Sequence, residues 1–186
     1  MFKISIVLLS TLFLMPQAFA KSAQSSKARV QAVDTIVLHA IGGPYCANGL
    51  VRNSPAKGDA RQWFEFFNSH RVLSIHYIVD REGVVLSHVP EHKIANHTLG
   101  WNGRSIGIEL VNNGDHLDEY SVQQIRSLKI LVQGVLSRHP HLTKDRVFRH
   151  SDLDKSVLKC AAVEYKRKQD PGARFDYQGF IRSLDR

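Results

Sequence analysis

The sequence predicts an α/β domain with a single mixed central β-sheet flanked by helices. Three observations carry that prediction. Short apolar runs of strand character recur around 35–38, 75–79, 105–111 and 146–150. Two longer segments, 59–70 and 121–138, place apolar residues at helical spacing. Strands and helices also mix without the strict βαβ alternation of an all-parallel sheet.

Residues 1–20 read as an export signal. Lys3 supplies the positive start, Ile4 to Met15 form an apolar run, and Ala18-Phe19-Ala20 is an A-x-A cleavage site. The run is shorter than the roughly 20 residues a spanning helix needs, and no cysteine follows it to carry a lipid, so no stable membrane anchor is expected. The expected location is therefore the periplasm or the cell exterior. Residues 21–33 are polar and form a lead-in, leaving 34–186 as one catalytic-domain-sized unit.

Thr35-Ile36-Val37-Leu38, ending in His39, predicts a strand buried on both faces, and the Gly- and Pro-containing stretch to Gly58 predicts a long loop. Asp59 to His70 predicts a helix whose apolar face carries Trp63, Phe66 and Phe67. Ile75–Val79 and Val84–Val89, around the turn Asp80-Arg81-Glu82-Gly83, predict a hairpin. In the strand from Ser105 to Val111, strict alternation puts Glu109 on the face opposite Ile106, Ile108 and Leu110. Ser121 to Arg138 is the clearest helix, with Ser121 and Gln124 as a capping box. Arg146 to His150 predicts a last short strand, followed by an irregular segment and a closing helix after Asp176.

The formal net charge is +8, or +7 once Lys3 is removed with the signal. A basic surface favours an anionic partner or simply aids solubility. The lysines and arginines form no stripe interleaved with aromatics, so no nucleic acid is expected; a carboxylate-rich cell wall fits better. Cys46 and Cys160 are the two cysteines, and an oxidising compartment would let them pair. One disulfide and two free thiols both remain open at this level.

A catalytic zinc usually takes three protein ligands and leaves its fourth position open, so His, Asp or Cys at element ends are the candidates. His39 and His150 each close a strand run, and Asp170 lies in the turn-forming Lys168-Gln169-Asp170-Pro171-Gly172. Taken singly these are weak signals among ten histidines. Together with Ser74-Ile75-His76-Tyr77, Ala95-Asn96-His97, Asn102, Ser105-Ile106-Gly107-Ile108-Glu109-Leu110 and Arg149-His150-Ser151-Asp152, they form an ordered series of motifs from Thr35 to Tyr177.

In that series the sequence resembles the zinc amidase family that includes AmpD-type N-acetylmuramoyl-L-alanine amidases and, more distantly, the peptidoglycan recognition proteins. The resemblance implies the fold of that family and a Zn2+ cofactor held by His39, His150 and Asp170. It also implies Glu109 as catalytic acid, Lys168 as catalytic lysine, and His97 and Asn102 as residues of the substrate groove. The implied partner is peptidoglycan or muropeptides. His76 is open between a buried supporting histidine and a direct participant. Asn96 stands where relatives often have tryptophan. Some relatives ligate zinc through a cysteine two residues after the lysine, the place Asp170 holds here, which leaves Cys160 as a partner for Cys46.

Two other readings compete. A non-catalytic peptidoglycan-binding module would be expected to lack a ligand, whereas all three candidates are present here. A zinc peptidase acting on the peptide stem would rest on His139-Pro140-His141, but that pair follows a helix stop and contains proline, and there is no H-E-x-x-H.

Overall fold

The computed structural model describes residues 27–54, 56–115 and 117–185. The expected export signal therefore lies outside the described residues. In chain order the elements are β1 (Thr35–Ala40), β2 (Gly43–Ala47), β3 (Leu50–Ser54), α1 (Ala60–Ser69), β4 (Tyr77–Val79), β5 (Val85–Ser87) and β6 (Ser105–Leu110). Then come α2 (Val122–Arg138), β7 (Val147–Arg149), α3 (His150–Leu153), β8 (Val157–Cys160), β9 (Val163–Lys166) and α4 (Tyr177–Ser183).

Five strands form the central sheet in the order β5-β4-β6-β1-β7. β4, β6, β1 and β7 run parallel to one another, and β5 pairs antiparallel with β4. The sheet is therefore mixed, as the irregular alternation of elements predicts. β1 lies inside it, between β6 and β7, and is buried along its whole length, which is why its sequence is a continuous apolar run rather than an alternating one.

Side-chain alternation divides the sheet into two faces. Ile36, Leu38 and Ala40 of β1 and Ile106, Ile108 and Leu110 of β6 share one face and pack with Leu128, Val132 and Val135 of α2 and Phe180 of α4. His39 and Glu109 are register partners on the other face, alongside Ile78 of β4. Ile78 belongs to a second cluster with Ala60 and Phe67 of α1. The large core thus lies under α2, and the face that carries the polar residues is only partly covered by α1.

Local chemistry sets the helix ends. Asp59 caps α1 and forms a full capping box with Gln62. Ser121 accepts from Gln124 N at the start of α2, but Gln124 does not close the expected box. Its buried side-chain amide instead donates to the carbonyls of Val79 and Val111, tying α2 to the ends of β4 and β6. The Val79 carbonyl also accepts from Val111 N, so the Gln124 amide reinforces the end of the strand ladder from within the core, a stronger demand on a buried amide than one exposed cap donor.

Other expectations are also corrected. The predicted loop from 40 to 58 contains the β2–β3 hairpin, and the segment expected to be irregular contains β8–β9. The two hairpins are joined by a disulfide between Cys46 and Cys160. The last strand ends at Arg149, so that His150 opens α3. Where described, the lead-in is already part of the domain: Ala28 bridges Lys93, and Val33 is buried in the main core. Arg29 donates to the carbonyls of Glu91, Lys93, Asn102, Gly103 and Ser105.

Beyond β1 the chain crosses the segment after β6. Gly42 and Gly114 both adopt left-handed backbone angles there, and a Cβ on Gly42 would lie 2.4 Å from Gly114 Cα. Only glycine permits this approach, which starts the β2–β3 hairpin at the edge of a cleft above the sheet.

Candidate active site

At the C-terminal ends of β1 and β6 the partly covered face opens into a cleft of about 380 Å³. Parallel sheets commonly place sites at such strand ends, where the following loops diverge. The cleft is lined by His39, His97, Glu109, His150, Lys168 and Asp170 on its polar side, and by Trp63, Phe66, Phe67, Leu73 and Ile75 on its apolar side.

Three elements deliver the candidate ligands. His39 is the fifth residue of β1, His150 the first of α3, and Asp170 lies in the turn after β9, where its own carbonyl accepts from Ser151 N. His39 Nδ1 and His150 Nδ1 are 2.9 Å apart, His150 Nδ1 and Asp170 Oδ2 are 2.9 Å apart, and His39 Nδ1 and Asp170 Oδ2 are 3.4 Å apart. All three residues are buried. A tetrahedral centre with bonds of about 2.0–2.1 Å separates its ligand atoms by roughly 3.3 Å, so the arrangement matches a zinc-sized cation with one open face. Among the described residues, this is the grouping of His, Cys, Asp and Glu able to hold a metal ion.

The protonation states suit that use. Burial, reinforced by the charge of neighbouring His150, lowers the His39 pKa to about 4, leaving a neutral ring with a lone pair to offer. Burial works against the Asp170 carboxylate, but the hydrogen bond with His150 and the proximity of His39 outweigh it and hold its pKa well below the ordinary value. Two imidazoles and a carboxylate are the donor set of many catalytic zinc sites.

Glu109 Oε2 is 3.8 Å from His39 Nδ1. Burial, with the nearby Asp170 charge, pushes the Glu109 pKa to about 8, and Lys168 opposes the shift. A carboxyl raised this far can exchange its proton near neutrality, and His39, lowered to about 4, is uncharged there, so their contact is not an ion pair. Lys168 lines the same cleft, and its charge reaches both His39 and Glu109.

The structure separates the two expected groove residues. His97 is in the cleft, with its ring against His39. Asn102 is not among the lining residues; its side-chain oxygen accepts from the backbone N–H groups of His97 and Thr98 and so shapes the loop that carries His97. His76 supports the site: its Nδ1 accepts from Gly107 N, and its Nε2 faces the Lys93 carbonyl. Asn96 also lies on the cleft wall.

Sequence reasoning overlooked Tyr120 and the aromatic wall. The Tyr120 hydroxyl donates to the Pro171 carbonyl and steadies the turn that carries Asp170. No local pattern marks it, since the contact joins residues 51 positions apart. The apolar stripe of α1 reads as a core face, but Phe66 is half exposed and only Phe67 and Ala60 are buried. That surplus of aromatics was the available signal.

Residues 29–173 match the family described as N-acetylmuramoyl-L-alanine amidase. The chain is 29% identical over 120 residues to the 1,6-anhydro-N-acetylmuramyl-L-alanine amidase AmpD of Haemophilus influenzae, covering 60% of this chain and 59% of that one. It is 32% identical over 120 residues to the Enterobacter cloacae AmpD, covering 60% and 57%. The match thus spans less than two thirds of either curated relative. The fold is shared with the N-acetylmuramyl-L-alanine amidase AmiD from E. coli, solved with anhydro-N-acetylmuramic acid-L-Ala-D-gamma-Glu-L-Lys: TM-score 0.61, 21% identity, 86% of this chain and 60% of that chain. By the extent of the family match and the shared fold, the chain belongs to the N-acetylmuramoyl-L-alanine amidase family, as an AmpD-like member.

Proposed function

We propose that this chain is an exported, zinc-dependent N-acetylmuramoyl-L-alanine amidase. It would hydrolyse the amide bond between N-acetylmuramic acid and L-alanine in peptidoglycan or its fragments. The observation that carries the reading is the convergence of His39 Nδ1, His150 Nδ1 and Asp170 Oδ2 beside the Glu109 carboxyl in one cleft. The names of the relatives, two of them 1,6-anhydro-N-acetylmuramyl-L-alanine amidases and one solved with an anhydromuramyl peptide, support muropeptides as the substrate class. The export-like sequence at residues 1–20 supports action in the periplasm or outside the cell.

Zinc, when bound, supplies a Lewis acid for the amide carbonyl and lowers the pKa of water at its open position to about 7. The side chains of the cleft do the rest. Glu109 takes the proton of the attacking water and passes it to the departing alanine nitrogen, since a carboxyl in this buried place can exchange a proton near neutrality. Lys168 offsets the negative charge that develops on the former carbonyl oxygen. The wall of Trp63, Phe66 and Leu73 excludes water from one side and offers apolar surface to the substrate.

The test is mass analysis of products from defined muropeptides, intact and anhydro, incubated with zinc-loaded protein. The expected products are the free muramyl sugar and a peptide beginning with L-alanine. Cleavage inside the peptide stem would favour the peptidase reading, and binding without turnover the recognition module.

A further inference from the structure

We propose that His97 and Ser105 are positioning residues that fix His39 in the tautomer required of a metal ligand. The metal arm of this inference rests on the zinc reading above; the tautomer arm does not.

Ser105, His97 and His39 form a hydrogen-bonded chain whose direction is set at its far end. The Ser105 hydroxyl lies 2.8 Å from the Trp101 carbonyl. A carbonyl can only accept, so the serine proton is committed there. Ser105 Oγ is therefore free to accept, and 3.3 Å away is His97 Nε2, which must then carry the ring proton. His97 Nδ1 is left with its lone pair. It is 2.9 Å from His39 Nε2 and also 2.9 Å from the Thr98 hydroxyl, so both neighbours can donate to it. With its proton on Nε2, His39 turns a bare Nδ1 toward His150 and Asp170. Metal-bound histidines characteristically donate their second ring N–H in this way, and that partner fixes ring orientation and basicity.

The fold is shaped around the middle of this chain. A Cβ on Gly107 would lie 2.6 Å from His97 Cγ and Nδ1, so the central strand leaves room for this ring only by carrying glycine. The Asn102 side-chain oxygen grips the N–H groups of His97 at 2.9 Å and Thr98 at 2.7 Å, which fixes the loop that presents the ring. Ser105 is wholly buried, where a hydroxyl is retained only if it is bonded. His97 lines the cleft, but its Nδ1 faces His39.

The experiment compares wild-type protein with Ser105→Ala, His97→Leu and His97→Asn, the last of which places an amide oxygen near the position of Nδ1. The readouts are the 15N signals of His39 in metal-free protein, which distinguish the tautomers, the zinc Kd by chelator competition, and the metal-free Tm. The expected results are an Nε2-protonated His39 in wild type, a shift of that signal in Ser105→Ala and His97→Leu, and a zinc Kd raised about 10–100-fold in both. His97→Asn should recover most of the affinity, which a purely space-filling role would not predict. An Nδ1-protonated His39 in wild type, or a zinc Kd in His97→Leu equal to wild type, would overturn the proposal. If Ser105→Ala does not fold, the Leu and Asn variants still decide. If wild type takes no zinc, the metal reading fails, and the His39 tautomer alone decides this inference.

Discussion

His39 and Glu109 are register partners on the adjacent parallel strands β1 and β6, and their side chains meet with Glu109 Oε2 3.8 Å from His39 Nδ1. The sheet itself therefore sets the spacing between a candidate ligand and the candidate proton carrier. Loops do not determine it, and a rigid strand pair holds catalytic groups more tightly than a loop can. Removing the carboxyl should leave the backbone pairing, and hence the ligands, in place. Glu109→Ala is expected to retain zinc and fold while kcat on a muropeptide falls by at least about a hundredfold, the lower range for a general acid-base group. Lys168→Ala should fall by about 10²–10³-fold, as for loss of a charge-stabilising donor. Zinc-replete Glu109→Ala with near-normal kcat would assign the proton to another group.

The ligand set makes a separate prediction. His150 and Asp170 reach the centre from different segments, and each lies within about one hydrogen bond's length of the other. Metal analysis should find about one zinc per wild-type chain and a sharp loss in His150→Ala, because two remaining ligands do not close a tetrahedral site. Equal metal content in the two proteins would remove His150 from the centre.

The parts legible in the sequence were those where burial imposes a pattern. β1 is buried throughout and reads as a continuous apolar run; β6 alternates around Gly107 and Glu109; α2 repeats at helical spacing. The two outer hairpins were not legible from apolar pattern, because most of their residues are exposed. One local signal for β2–β3 was present, the Asn48-Gly49 pair, whose positive φ angles suit a two-residue hairpin turn. The β8–β9 turn has Ala161 at positive φ, a residue that gives no such warning. Motif order placed His39, His150 and Asp170, but the bond from His39 to His97 joins positions 58 apart and becomes visible only in three dimensions.

The disulfide between Cys46 and Cys160 closes a separation of 114 residues. It couples the hairpin that follows His39 to the hairpin that precedes Lys168 and Asp170, and contributes nothing to the chemistry directly. On the chain-entropy view, a loop of this length stabilises the fold by about 4–5 kcal/mol. Non-reduced protein should show no free thiol, and the Cys46→Ser, Cys160→Ser double variant should unfold at clearly lower denaturant while still binding zinc when folded. Two titratable thiols in protein isolated without reductant would contradict the pairing.

Away from the cleft, Glu91 joins the end of α2 to the start of β4 in one polar knot. Its Oε1 accepts from the Tyr77 hydroxyl at 2.5 Å and Arg138 Nη2 at 2.7 Å, and its Oε2 lies 2.7 Å from His139 Nε2. Burial favours the neutral acid, but hydrogen bonds from Arg138, Tyr77 and His139 outweigh it and lower the pKa from 4.5 to about 2. A carboxyl whose pKa is depressed on folding stabilises the native state fully above its unfolded pKa of 4.5 and loses that contribution as pH falls through about 2. Half of the Arg138 side chain is exposed, so solvent screens part of the interaction and the net value at pH 7 is on the order of 1–2 kcal/mol. Glu91→Gln should lower Tm at pH 7 by roughly 3–6 °C for a domain of this size. The gap to wild type should narrow steadily between about pH 4.5 and pH 2, because protonated Glu91 and glutamine then differ little in charge. Thermal unfolding of both proteins across that range measures it. A gap that stays constant with pH would show that the knot acts through shape and not through the Glu91 charge.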